Sequence, residues 1–271
     1  MNPVRARLER TGFRLLYRLV DLTYALGVAT PKRSVAGTYW SYEPTNPHGG
    51  DPGLAALAAL PTDATVVDVG AHVGEHAIPL ARGTDRDVIA FEPNGESADR
   101  LARNARRSGL RVSDRDSGQR DDGADDATGA IDLRRAGLGD MDATLSFYRS
   151  TFSKLSAFDR DRATRWGAGI ASVEAVPIGR LDDLVVGTDA GDERDDAVPP
   201  PDAVKIDVEG REGAVLRGAE HTIETYRPLL VVEVHSGGDD DTADHRDPLR
   251  EWLTERGYEI EAIEDVWVCR G

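Results

Sequence analysis

Three short stretches of this chain combine residue types that can bind and react. The first is Thr65-Val66-Val67-Asp68-Val69-Gly70-Ala71-His72-Val73-Gly74, an apolar run that ends in an acid and two glycines. Gly70 and Gly74 let a backbone turn sharply and approach a ligand closely. The turn is not the dinucleotide fingerprint, which has three glycines as G-x-G-x-x-G and holds a pyrophosphate. The middle glycine is missing, and Asp68, two residues before Gly70, repels a pyrophosphate and attracts a cation such as a sulfonium or ammonium. The second stretch, Phe91-Glu92-Pro93, places an acid at the spacing, about 20 residues past the turn, at which a carboxylate reaches ribose hydroxyls in α/β nucleotide folds.

The third stretch is Lys205-Ile206-Asp207-Val208-Glu209-Gly210, joined farther on by Glu233 and His235. Alternation along a strand would project Lys205, Asp207 and Glu209 from one face near its C-terminal end, where open α/β sheets bind ligands. An internal lysine–carboxylate pair that holds a loop would give the same pattern.

These residues need a scaffold. Val66, Val67 and Val69 suit a buried parallel strand, with a helix from Glu75 to Arg82 after the turn. Val88 to Phe91 predicts the second strand and Asn94 to Ser108 the next crossover helix. Val112 and then Ile131 and Leu133 flank a polar insertion near 113–129, read as interrupting the third strand region. Thr144 to Tyr148 and Val173 to Ile178 read as extended, and a second polar insertion covers 187–202. Gly213 to Tyr226 predicts one helix, Leu229 to His235 the fifth strand, and Tyr258 to Ala262 with Val266 to Cys269 a closing hairpin. Residues 53–271 form the predicted α/β domain.

Residues 1–52 read as a helical and irregular extension. From Val4 to Leu26, Leu8, Leu15, Leu16, Leu19, Leu22 and Leu26 recur at helical spacing with Arg5, Arg7, Arg10, Arg14 and Arg18 interleaved. Such a helix packs on the domain, on a second copy in a homo-oligomer, or on an anionic membrane surface. Pro31 and the stretch from Pro44 to Pro52 predict an irregular entry, in which Tyr39, Trp40, Tyr42 and His48 either wall a pocket or anchor a loop.

Composition narrows the partners. The chain carries 33 basic against 49 acidic residues, a net charge of −16, so no basic stripe for nucleic acid is expected. Lys32, Lys154 and Lys205 are the only lysines, and with so many aspartates the composition resembles that of proteins from salt-loving organisms. Cys269 is the single cysteine, which excludes an intrachain disulfide and a cysteine zinc site and suggests a reducing, cytoplasmic setting. No apolar run approaches the roughly 20 residues that span a bilayer.

With these residues in place, the chain resembles the FkbM family of S-adenosylmethionine-dependent methyltransferases. The likeness rests on Asp68 to Gly74, on Phe91-Glu92-Pro93, on Lys205 to Gly210 with the following Glu212, Leu216 and Gly218-Ala219, and on Pro228 to His235. It implies a Rossmann-like, seven-stranded class I methyltransferase sheet with helices on both faces and a final antiparallel hairpin. It also implies O-methylation of a sugar hydroxyl or another small-molecule or glycan acceptor. Carried over by residue, Asp68, Gly70 and Gly74 would surround the methionine part of S-adenosylmethionine, Glu92 would accept from its ribose and Asp140 would meet its adenine side, with Ala71, His72 and Pro93 also at the cofactor and Asp207 touching cofactor or acceptor.

Methyl transfer to oxygen also requires the acceptor's proton to leave. An unperturbed His235 titrates near pH ~6.5 and is the first candidate base. Lys205 is the alternative if its pKa were lowered. A divalent metal held by Asp207, Glu209, Glu233 or His235 is the third route. The competing functions are an NAD-dependent oxidoreductase, against which the missing glycine counts, and a cofactor-binding member without transfer chemistry.

Overall fold

The computed structural model describes residues 3–114, 119–120, 129–186, 196–235 and 246–271; most of both polar insertions and of the acidic loop 237–247 lies outside them. Helix α1 (Pro3–Leu26) is followed by the strands β1 (Thr30–Ser34) and β2 (Gly37–Ser41) and helix α2 (Pro52–Ala58). The main alternation is β3 (Thr65–Val69), α3 (Ala77–Ala81), β4 (Asp87–Phe91) and α4 (Gly95–Arg107). Next come β5 (Arg111–Asp114), β6 (Gln119–Arg120), β7 (Ala130–Arg134), β8 (Gly137–Leu138), β9 (Ala143–Ser150), α5 (Arg160–Ala163), β10 (Ile170–Gly179) and α6 (Leu181–Leu184). The chain continues with β11 (Ala203–Ile206), α7 (Glu212–Gly218), α8 (Glu220–Tyr226), β12 (Leu229–Glu233), α9 (Arg246–Glu255), β13 (Glu259–Ile263) and β14 (Val266–Arg270).

The large sheet runs β13-β14-β12-β11-β3-β4-β7-β5-β6, parallel from β12 to β5 and antiparallel at both margins. Alternation divides its side chains between two cores, as a sheet covered on both faces requires. Val66, Val88, Ile131 and Leu133 meet Leu54, Leu57, Ile78 and Leu101 on one face. Val67, Val69, Phe91, Val204 and Ile206 meet Leu216, Ile223, Leu253 and Trp267 on the other.

Several expectations change in detail. Among the described residues the sheet has nine strands, because Val112 and Ile131 do not share one interrupted strand. They sit opposite each other on the neighbouring parallel strands β5 and β7, and β6 is added beyond β5. The helix predicted from Gly213 to Tyr226 is two helices that meet at Ala219. The break lies where Gly218 packs on the 139–140 backbone so closely that a Cβ would stand 1.7 Å from the Gly139 carbonyl oxygen. The entry segment is not irregular throughout, since β1 and β2 pair as an antiparallel hairpin.

Helix α1 buries Val20 and Tyr24 and stacks Tyr17 on Phe152 at 5.0 Å, a spacing of three, four and seven residues. Leu15, Leu19, Leu22 and Leu26 face outward, so this part of the leucine pattern does not pack on the domain. Asn104 of α4 ties the parts together: its amide donates to the Tyr24 hydroxyl and the Val73 carbonyl and accepts from the Tyr42 N–H. The segment before residue 53 thereby braces the glycine turn.

Candidate active site

Strands β3, β4 and β11 end side by side, with Val69 opposite Phe91 and Ile206. The Gly70 and Ala71 N–H groups both donate to the Phe91 carbonyl, and the Asp207 N–H donates to that of Val69. Gly70 takes φ +81°, and a Cβ there would stand 1.8 Å from the Asp207 carbonyl oxygen, so only glycine permits this contact. His72 also takes positive φ and donates its N–H to Glu92 Oε2 at 2.7 Å. The Asn94 N–H reaches Glu92 Oε1 at 2.8 Å. Burial pushes the Glu92 carboxyl up to about 7, against these two donors and Lys205.

A single cavity joins this turn to the charged strand ends. Gly70, Ala71, His72, Glu92, Pro93, Lys205, Asp207, Glu209, Glu233 and His235 all line it. Asp68, Gly74 and Asp140 do not. Asp68 and Lys205 are cross-strand neighbours in register, and Lys205 Nζ lies 3.0 Å from the buried Asp68 carboxylate, 3.0 Å from the Gly70 carbonyl and 3.5 Å from Asp207. The cation drawn by Asp68 is thus supplied by the protein. Gly74, at φ +89°, packs against Ile78 and Leu101, while Asp140 is paired with Arg217 at 2.9 Å.

The charged stretch is only partly a strand. β11 stops at Ile206, and Glu209 and Gly210 turn the chain with positive φ, so the cavity positions of Asp207 and Glu209 come from a loop and not from strand alternation. Glu209 pairs with Arg165. His235 lies two residues beyond β12; its Nδ1 is 2.9 Å from Glu212 Oε1, which also accepts the Gly210 N–H.

Electrostatics reassigns the proton chemistry. Burial of the His235 ring favours the neutral form, but Glu212, Glu209 and Asp207 outweigh it and push the imidazole up to about 9. It is protonated at neutral pH and holds no free site for the acceptor's proton. Lys205 is driven upward too, burial being overcome by Asp68 and Asp207, so it is a permanent cation. Burial raises the Glu209 and Glu233 carboxyls, the latter helped by Asp207. Burial also works on Asp207, but Lys205 and His235 hold its carboxyl below the usual range.

The opposite wall contains His48, one of the four residues expected to wall a pocket or anchor a loop, together with residues that motif reasoning passes over. Lys154 Nζ sits 2.9 Å from Glu75 and 3.4 Å from His48 Nε2, and His76 Nε2 sits 3.3 Å from Asp51. His48, His76, Ser153 and Arg211 line the cavity beside them. Tyr39 instead enters the core, Trp40 lies under Arg107, and Tyr42 packs on Tyr24. One signal was available: in a chain with only three lysines, Lys154 and Lys205 both face the cavity and Lys32 is buried.

Residues 68–260, well over half of the chain, match the family model of the methyltransferase FkbM domain. The chain belongs to the FkbM methyltransferase family. That membership sets aside the oxidoreductase alternative. Among similar proteins is the hexuronic acid methyltransferase AglP of Haloferax volcanii, 28% identical over 179 residues, which are 65% of this chain and 58% of that protein. Another is the AMB antimetabolite synthetase AmbE of Pseudomonas aeruginosa, 28% identical over 76% of this chain and 10% of its own length. The chain therefore spans just over half of one relative and a small part of the other. A solved methyltransferase FkbM from Methylobacillus flagellatus aligns with a TM-score of 0.46 at 18% identity, over 78% of this chain and 43% of that one. Among the described residues, no helix is long and apolar enough to cross a membrane.

Proposed function

We propose that this FkbM methyltransferase transfers the methyl group of S-adenosylmethionine to a hydroxyl of an acidic sugar, a hexuronic acid or a glycan that contains one. The observation that carries this proposal is the single cavity that runs from Glu92 and the glycine turn to Asp207, Glu209, Glu233 and His235. Its similarity to a hexuronic acid methyltransferase supports the acceptor class.

In this scheme Glu92 accepts the ribose hydroxyls, and the Gly70 to His72 backbone lies along the methionine part. Asp68 and Gly74 act from behind the wall, one by fixing Lys205 and the other by packing on the following helix. The apolar surface of Ala136, Leu138, Phe147 and Phe158 receives the adenine in place of Asp140. Cofactor and acceptor held in line supply proximity and orientation. The acceptor oxygen attacks the methyl carbon, the sulfur–methyl bond breaks, and its electron pair stays on sulfur. The hydroxyl proton passes to the carboxylate set, since His235 and Lys205 already carry theirs. Outward Leu15, Leu19, Leu22 and Leu26 of α1 fit contact with a partner or membrane surface, buried Cys269 fits a reducing cytoplasm, and the net charge of −16 fits a salt-rich one.

Titration calorimetry in molar KCl tests the cofactor. S-adenosylhomocysteine should bind wild type and bind Glu92→Ala at least tenfold more weakly. Labelled S-adenosylmethionine should then methylate hexuronic acids in preference to neutral hexoses. Absence of cofactor binding by wild type would reject the proposal, and preference for neutral hexoses would reject the acceptor class.

A further inference from the structure

His235 Nε2 points into a gap between carboxylates without touching any of them. It lies 3.6 Å from Asp207 Oδ1, 3.7 Å from Glu233 Oε1 and 3.7 Å from Glu209 Oε1, all too long for a hydrogen bond. The other ring nitrogen is committed: Nδ1 donates to Glu212, whose same oxygen is held by the Gly210 N–H. A histidine whose Nδ1–H is fixed by a buried carboxylate, with Nε2 turned toward oxygen ligands, is the arrangement that orients imidazole for a metal.

The spacing has a size. An ion with bonds of ~2.1 Å separates neighbouring ligand atoms by about 3.0 Å and opposite ones by about 4.2 Å. The distances from Nε2 to Asp207 and Glu233 fall between these values, and ligand atoms of all three residues lie within 4.8 Å of one another. Asp207 turns its other oxygen, Oδ2, to Lys205, which leaves Oδ1 for the gap. Glu209 Oε1 is as near to Nε2, but Glu209 is paired with Arg165 through Oε2 and does not join the group whose ligand atoms all converge.

We propose that Asp207, Glu233 and His235 bind one divalent cation of the size of Mg²⁺ or Mn²⁺, with Glu212 as the positioning residue. A second group, His48, Asp51 and His76, also brings its ligand atoms together. There, however, Asp51 and His76 are already within hydrogen-bond distance, and the Lys154 ammonium faces His48 Nε2 at 3.4 Å and repels a further cation. The functional consequence rests on the methyl-transfer proposal: an ion in the first cluster would displace the Nε2 proton of His235, as binding to imidazole requires, and would hold the acceptor hydroxyl and lower its pKa.

The experiment is a Mn²⁺ titration of the full chelator-treated chain in molar KCl, followed by the paramagnetic resonance signal of free Mn²⁺. One saturable ion per chain is expected. Glu233→Gln and His235→Asn should weaken it more than tenfold, and Glu212→Gln, which keeps all three ligands, about tenfold. Asp140→Asn, which removes a charge outside the cavity, should leave it unchanged. Thermal unfolding of each variant identifies any that fail to fold, in which case the wild-type stoichiometry and the remaining variants decide. No saturable site in wild type, or equal weakening by Asp140→Asn, overturns the proposal. S-adenosylhomocysteine binding without a Mn²⁺ site would remove the metal and leave the methyl-transfer proposal standing. A Mn²⁺ site without cofactor binding would do the reverse.

Discussion

The two ends of the cavity are built in different ways. At the glycine turn, main-chain N–H groups, one carboxylate and close backbone contact form the wall, and the residues come from the ends of adjacent strands. At the other end, charged side chains from distant segments hold each other: Lys154 with Glu75, His235 with Glu212, and Lys205 with Asp68. The first end depends on shape, so adding one carbon disrupts it. The second depends on charge balance, so the damage depends on which partner is removed and how deeply the other is buried.

The largest effect should come from the shape-built end. Gly70→Ala forces a Cβ to within 1.8 Å of the Asp207 carbonyl oxygen at a positive φ, so cofactor binding should be lost together with about 4 kcal/mol or more of stability. Gly83 also has positive φ, but nothing lies within 4 Å of its added Cβ, so Gly83→Ala should cost only about 1 kcal/mol. Denaturant unfolding in high salt compares them, and equal losses would mean that backbone conformation matters there and the Asp207 contact does not.

Next in size is the charge-built end. Lys205→Met strands Asp68, 1% exposed, without its cation, and removing one partner of a buried pair costs about 3–5 kcal/mol. Lys154→Met leaves Glu75, whose side chain is 10% exposed, with His48 still 3.5 Å away, so it should cost less, about 1–3 kcal/mol, while raising the KM for an acidic acceptor. If both lysines proved equally important to stability, burial would not be what separates the two ion pairs.

The same division explains what could be read in the chain beforehand. Asp68, Gly70 and Glu92 occupy fixed offsets from strand ends, so a linear pattern carries their geometry, and the two-sided sheet follows from its valine and leucine runs. Lys154 and Glu75 are 79 residues apart, and nothing local announces that they meet. His235 could be placed at a strand end, yet its protonation depends on Glu212, Glu209 and Asp207, which converge only after folding. Asp68 was legible as an acid beside a ligand turn, but its partner Lys205 appears only when β3 and β11 are set in register. The outward leucines of α1 show the converse: periodicity identified the helix, but aromatic packing through Tyr17 and Tyr24 decided which face turned inward.

The smallest effect concerns Glu92, where the two kinds of construction meet. Its carboxyl titrates at about 7 in the folded chain against ~4.3 when unfolded, because burial outweighs the His72 and Asn94 N–H donors. A raised carboxyl pKa means that the folded state binds the extra proton, so this contribution to stability is fully present below ~4.3 and is lost as pH rises through about 7. Ribose hydroxyls need the ionised acceptor, so cofactor affinity runs in the opposite direction. At pH 6 only about one chain in ten carries the carboxylate, and S-adenosylhomocysteine should bind about tenfold more weakly than on the plateau above pH 8. Glu92→Gln should bind weakly at both pH values, without that slope, and its unfolding free energy relative to wild type should rise from pH 5 to pH 8. A wild-type affinity that stays flat across this range would place the ribose away from Glu92, and the shape-built end would then bind its ligand through the backbone alone.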